Sequence, residues 1–299
     1  LGRHDEAWDA LERGCKLRRM QAPHDPRETE ALFAALGSLY TPEFLAPVTA
    51  PRGDFAPIFI VGMHRSGTTL LERILGGHPL VADGGESYAF TAQLDLATDH
   101  KTTGALDATT LQRVAGADFA GIGAGFLDAS RWRTRGRPFL TEKLPAHLLN
   151  AGLIAKALPP AKLLRVVRDP MDTCFSNLRT FFAGTAAYSH DQAQLAGYYL
   201  RCDRLARHLH EAVPGRMLDI AYADLVGDTE ATARRVFGFC GLAFAPEALD
   251  VGRASGDVAT ASTTSVRAGI LRDRAGAWRP YACQLQPMRE TLEAGRTDA

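Results

Sequence analysis

Residues 57–79, PIFIVGMHRSGTTLLERILGGHP, decide how the chain folds. Ile58, Phe59, Ile60 and Val61 form a short continuous apolar run, the pattern of a strand buried on both faces. Gly62 supplies a sharp turn. From Thr68 on, Leu70, Leu71, Ile74 and Leu75 recur at helical spacing until Gly76, Gly77 and Pro79 stop the helix. A helix that begins inside a turn of small and hydroxyl-bearing residues offers backbone N–H groups to an anion.

Residues 62–69, GMHRSGTT, match the phosphate-loop pattern G-x-x-x-x-G-K-[ST] except that Thr68 stands where the lysine belongs. Without that lysine the loop loses its reach to outer phosphates, which argues against triphosphate hydrolysis. Arg65 supplies a different cation, a planar fork suited to a terminal oxyanion held without metal. The plain alternative is a glycine turn that binds nothing. The crowding of Arg65, Ser66, Thr68 and Thr69 at one helix start favours the anion site.

The 299 residues carry 34 basic and 34 acidic side chains and are 46% hydrophobic, which fits one large α/β domain with a small appendage. Balanced charge gives no support to nucleic-acid or membrane partners. No apolar run approaches the roughly 20 residues of a bilayer span, and no signal-like segment opens the sequence. Cys15, Cys174, Cys202, Cys240 and Cys283 lack metal-ligand spacing and are expected as reduced core thiols of a cytoplasmic protein. Residues 1–20 carry Ala7 and Leu11 four apart around Trp8, as in half of a tetratricopeptide repeat or in an amphipathic capping helix. With the proline-rich flanks and the helix expected over residues 28–40, residues 1–54 form an N-terminal helical segment and linker. A catalytic domain is expected from Phe55 to the end, residues 55–299.

Beyond the first helix, Gly84 and Gly85 deliver Glu86 near the carboxyl ends of the strands, where open α/β sheets bind ligands. A general base is the better reading there than a solvated turn residue. Residues 91–137 read as polar helices, with Arg131, Arg133, Arg135 and Arg137 as a solvated basic face. FLTEKLP, residues 139–145, reads as a strand that ends at Lys143, and residues 146–158 as one helix. Residues 162–167 form another buried strand; Asp169 caps and Pro170 opens the following helix. Arg168 and Ser176 can converge there on one phosphate, or Arg168 can pair with Asp169 or Asp172. Residues 184–190 have the composition of a mobile loop, residues 192–213 of a core helix, and residues 217–222 of a strand. A helix from Asp228 to Cys240, a hydroxyl-rich and then basic stretch over 259–281, and an amphipathic helix over 284–294 complete the chain. The fold class is α/β: a P-loop-like open parallel sheet with helices on both faces, preceded by a short repeat-like helical segment.

Taken together these stretches resemble the sulfotransferase family, most closely its tetratricopeptide-linked bacterial members, which are similar to tyrosylprotein sulfotransferases. The resemblance runs from about Phe55 to the C-terminus. It implies 3′-phosphoadenosine 5′-phosphosulfate as donor and no metal. Arg65, Ser66, Gly67, Thr68 and Thr69 would hold the 5′-phosphosulfate, Arg168 and Ser176 the 3′-phosphate, and Tyr222 the adenine. Glu86 matches the family's proposed base and Lys143 the lysine near the transferring group, while Ser262 or Thr263 corresponds to a charge-stabilising serine. Ala277 stands before Trp278 where a basic residue is common, which leaves Arg267, Arg274 or Arg279 for the late phosphate contact.

The implied reaction is in-line sulfuryl transfer, with Arg65 and Lys143 stabilising the developing charge. The acceptor would be a hydroxyl or phenol on a protein tyrosine, a saccharide or a small molecule, and the N-terminal helices could dock a protein partner. Two rivals stay open. One is a kinase-like phosphotransferase using ATP and magnesium, with Lys143 replacing the loop lysine and Leu218-Asp219 as a faint Walker-B run. The other is a non-catalytic, nucleotide-gated repeat scaffold.

Overall fold

The run of apolar residues around Phe59 is the central strand β1 (Ala56–Gly62), buried from Pro57 on. The computed structural model describes residues 2–182, 186–251 and 275–297. Around β1 a five-stranded, all-parallel sheet takes the order β2 (Val81–Ala82), β3 (Phe139–Lys143), β1, β4 (Lys162–Val167), β5 (Met217–Ala221). Ile60 lies beside both Lys143 and Leu164, Gly62 beside Val166, and Val167 beside Ala221. The carboxyl ends of β1, β3, β4 and β5 therefore open on one edge.

Parallel strands joined by crossover helices must be covered on both faces, and alternation along β1 divides its side chains between two cores. Ile58 and Ile60 pack with Leu71 and Ile74 of α3 (Thr68–Gly76) and with Phe237 of α11 (Thr229–Cys240). On the opposite face, Phe59 and Val61 join Phe90 of α4 (Ala89–Thr98), Phe126 of α6 (Phe119–Ser130), Ile154 of α7 (Ala151–Ala157), Phe175 of α8 (Pro170–Leu178) and Leu205 of α9 (Gln192–Ala212). A short α5 (Ala108–Val114), α10 (Tyr222–Gly227) and the terminal α12 (Gln286–Thr297) complete the helices described. The N-terminal helices α1 (His4–Gln21) and α2 (Pro26–Leu39) share that second core through Cys15 and Leu36. Tyr40, fully buried, donates to the Leu149 carbonyl at 2.6 Å.

Several expectations need correction. Residues 146–158 are not one helix. A 3-10 turn, Pro145–Leu148, precedes α7, and the break seats His147 and Asn150 inside the protein, where Asn150 Nδ2 donates to the Ala105 carbonyl at 2.9 Å. Residues 91–137 are not polar throughout, since Phe119, Ile122 and Phe126 lie in the core. Within the stretch expected as a mobile loop, Ala187–His190 is a 3-10 turn with Tyr188, Ser189 and His190 buried. Tyr188 stacks on Tyr198 with ring centroids 3.7 Å apart, which fixes the turn on α9. All five cysteines are free, but Cys283 is exposed rather than in the core. Among the described residues no helix is long and apolar enough to cross a membrane.

Candidate active site

The loop between β1 and α3 is shaped for close approach of a ligand to backbone. Gly67 has φ 111°, and a Cβ there would lie 2.3 Å from Tyr222 Cδ2, so only glycine fits. Arg65 takes φ 67°, a left-handed conformation that a residue with a side chain seldom adopts and that concentrates at functional sites. Ser66, Thr68 and Thr69 are all buried, and Ser66 Oγ has no hydrogen-bond partner among the described residues. A buried hydroxyl without a partner at the start of a helix suits an oxyanion that would complete it.

The end of β4 closes on this loop. Asp169 caps α8 by accepting from the Asp172 backbone N–H, as expected, with Pro170 in the first turn. Arg65 Nε donates to Ser176 Oγ at 3.3 Å, and Arg168 Nη1 reaches the Arg65 carbonyl at 3.5 Å. Arg168 also pairs with Asp172 at 3.8 Å, one of the two partners expected if it served structure alone. Its guanidinium lies 4.9 Å from the Tyr222 ring centroid, within the range of a cation–π contact. Tyr222 does not end β5; it opens α10 at the same edge. Arg65, Ser66, Gly67, Arg168, Ser176 and Tyr222 are thus brought together.

On the other side of β1, Lys143 ends β3 with only 1% of its side chain exposed and pairs through Nζ with Glu86 Oε1. Sequence reasoning missed a third member, Glu72 of α3, whose Oε2 lies 4.0 Å from Lys143 Nζ. Burial first, and the neighbouring Asp83 second, push the Glu72 carboxyl up to about 8. The available signal was spacing: Glu72 follows Thr68 by one helical turn and shares its face. His64 was also missed. Burial pushes it down to about 4, its ring lies 5.1 Å from Phe182, and Tyr188 Oη meets its Nδ1 at 3.5 Å. His64 is therefore neutral at neutral pH and adds no cation to the loop.

In the basic run 131–137, Arg131, Arg135 and Arg137 are exposed, as expected of a solvated face, but Arg133 is turned inward. Arg133 pairs with the fully buried Glu142 at 2.7 Å, and Arg137 donates to the Val81 carbonyl at 2.5 Å. Ser262, Thr263, Arg267 and Arg274 lie outside the described residues. Arg279 is described, in a 3-10 turn against Gly276, and the Gly276 backbone N–H donates to Asp172 Oδ1 at 2.8 Å. The late segment therefore returns to the helix that carries Ser176. Among the described residues there is no cluster of three or more His, Cys, Asp or Glu able to hold a metal.

The carboxyl edge of the parallel sheet thus carries the lysine-free loop pattern and, across β1, a buried lysine paired with the exposed carboxylate of Glu86. The chain belongs to the sulfotransferase family, whose sequence profile matches residues 57–246. An uncharacterized protein of Aquifex aeolicus (strain VF5) is 29% identical over 302 residues, covering 98% of this chain and 39% of the relative. The chain thus spans about two fifths of that relative's length. The sulfotransferase domain of the Synechococcus PCC 7002 olefin synthase superposes with a TM-score of 0.56 at 21% identity, over 83% of this chain and 97% of that one. The sulfotransferase domain from the curacin biosynthetic pathway gives 0.47 at 18% identity, over 74% and 84%. The α/β parallel sheet flanked by helices is the fold shared with the olefin synthase domain.

Proposed function

We propose that the chain transfers the sulfuryl group of 3′-phosphoadenosine 5′-phosphosulfate to an acceptor hydroxyl or phenol. The observation that carries this reading is the meeting, at one sheet edge, of the Arg65–Ser176 contact with the Lys143–Glu86 pair. The residues present suit the donor. Ser66 Oγ, buried and without a partner among the described residues, and the N-terminus of α3 would receive the 5′-phosphosulfate with Arg65, Thr68 and Thr69. Arg168 and Ser176 would receive the 3′-phosphate, and Tyr222 would flank the adenine. Arg267 and Ser262 are assigned to the late phosphate contact and to charge stabilisation through the resemblance alone.

In the transfer, the acceptor oxygen forms a bond to sulfur as the bond from sulfur to the 5′-phosphate oxygen breaks. The acceptor proton passes to Glu86, and adenosine 3′,5′-bisphosphate leaves. Lys143, buried against Glu86, would stabilise charge gathering on the bridging oxygen. The resemblance to the tyrosylprotein branch points to a protein tyrosine within this hydroxyl or phenol class. We further read α1 and α2 as the end of a tetratricopeptide array that could present a protein partner, in a protein acting in the cytoplasm.

Calorimetric titration with adenosine 3′,5′-bisphosphate, beside ATP with magnesium, tests the donor. Metal-independent binding of the bisphosphate, weakened about ten- to a hundredfold in Arg168→Ala for the loss of a charged hydrogen-bonding group, is the expected result. Preference for ATP with magnesium would overturn the reading in favour of phosphotransfer.

A further inference from the structure

Glu86 sits on a loop, residues 83–88, and a loop positions a reacting group well only if something holds it. Here β3 and one arginine hold every residue from Gly84 to Ser87. The Gly84 backbone N–H donates to Thr141 Oγ1 at 3.1 Å, and the Lys143 backbone N–H donates to the Gly85 carbonyl at 3.0 Å. Glu86 meets Lys143 Nζ, and Ser87 Oγ donates to Glu142 Oε1 at 2.6 Å. Arg133 then binds across the assembly. Its Nη1 donates to Glu142 Oε2 at 2.7 Å and to Ser87 Oγ at 2.8 Å, and its Nη2 donates to the Gly84 carbonyl. A Cβ on Gly84 would lie 2.0 Å from the Thr141 carbonyl oxygen, so the loop can lie this close to β3 only with glycine there.

The sequence gives no other use for this pair. Glu142 is fully buried, and burial raises its carboxyl despite the opposing pull of Arg133 and Ser87. A buried ion pair is a poor source of net stability against an apolar replacement, whereas a two-pronged guanidinium is well suited to fixing register. Alternation along β3 also places Glu142 and Lys143 on opposite faces of the sheet, so the clamp grips the loop from the side away from the lysine.

We propose that Arg133, Glu142 and Ser87 are positioning residues that lock residues 84–87 onto β3 and thereby hold Glu86 against Lys143. The inference rests on Glu86 as the base, and it deepens that reading. Arg133 and Ser87 act through the placement of one carboxylate.

The test uses the full chain with Ser87→Ala, which removes a hydroxyl, and Arg133→Lys, which keeps the charge but not the fork. Competent sites are counted by titration with adenosine 3′,5′-bisphosphate. Sulfuryl transfer from labelled donor is then followed to a tyrosine peptide and to water, beside amide exchange over residues 83–89. We expect kcat to fall about tenfold or more in both variants, as misplacement of order 1 Å does. KM and bisphosphate affinity should stay within about twofold, and exchange should quicken in residues 84–88 alone; a loss of general structural support would instead lower the count of competent sites and quicken exchange broadly. Wild-type kcat, or unchanged exchange in that segment, would overturn the clamp. Glu86→Gln is run alongside to separate the two claims: if it keeps near-normal turnover, the base reading fails, while the exchange result still decides the clamp.

Discussion

The two halves of the site are built differently. The phosphate loop takes its special conformation from the backbone of consecutive residues, through glycine at 67 and a left-handed Arg65, and the distant Tyr222, Arg168 and Ser176 close on a shape already set locally. The Glu86 loop is held mainly by side chains that arrive from far along the chain: Arg133 is 46 residues from Ser87, and Lys143 is 57 from Glu86. A backbone-shaped site is compact in sequence and intolerant of any added side-chain atom. A site shaped by side chains is dispersed, and its strength lies in buried polar partners that must all be present.

That difference predicts what breaks each half. The largest effect belongs to Glu86→Gln, which keeps the shape of the side chain but cannot take the acceptor proton. Turnover should fall about 100- to 10,000-fold, the usual worth of a general base, with bisphosphate affinity unchanged in calorimetry. Undiminished turnover would remove Glu86 from the chemistry. Next comes Gly67→Ala on the other half. Its methyl would overlap Tyr222 and its φ of 111° strains any side chain, so bisphosphate affinity should weaken about ten- to a hundredfold. Wild-type binding by this variant would mean that the loop is not shaped by close backbone approach.

The same contrast explains what could be read from the residues alone. The strand–loop–helix of β1 and α3 was legible because apolar runs, helical spacing and glycines are local signals. The ends of β3 and β4, at Lys143 and Val167 with Arg168 next, were legible for the same reason. The partners of Glu86 were not. Arg133 looked like one of four surface arginines, because nothing local says that the chain brings it back over Glu142. Glu142 inside a strand of a sheet expected to carry helices on both faces was the missed signal, since a carboxylate there demands a partner. The single helix over 146–158 failed because burying the side chains of His147 and Asn150 outweighed helical spacing.

Glu72 links the halves, one turn into the helix of the phosphate loop and 4.0 Å from the lysine of the other half. Its carboxyl, raised from 4.5 to about 8, makes the folded protein bind a proton that the unfolded chain gives up between those values. Stability from this group is therefore full below about 4.5 and is lost as pH rises through 8, by roughly 1.4 kcal/mol per pH unit in between. Glutamine imitates the protonated acid and has nothing to lose. Glu72→Gln should melt close to wild type near pH 5 and above it by pH 8–9, and parallel melting curves across that range would sink the assignment. The same substitution sharpens the catalytic contrast. Below about 8, a neutral Glu72 leaves Lys143 paired with Glu86 alone; above it, the Glu72 carboxylate draws on the same lysine, leaving less of its charge for the bridging oxygen. Turnover of the wild type should accordingly fall a few-fold between pH 8 and 9, and Glu72→Gln should hold its rate over that interval.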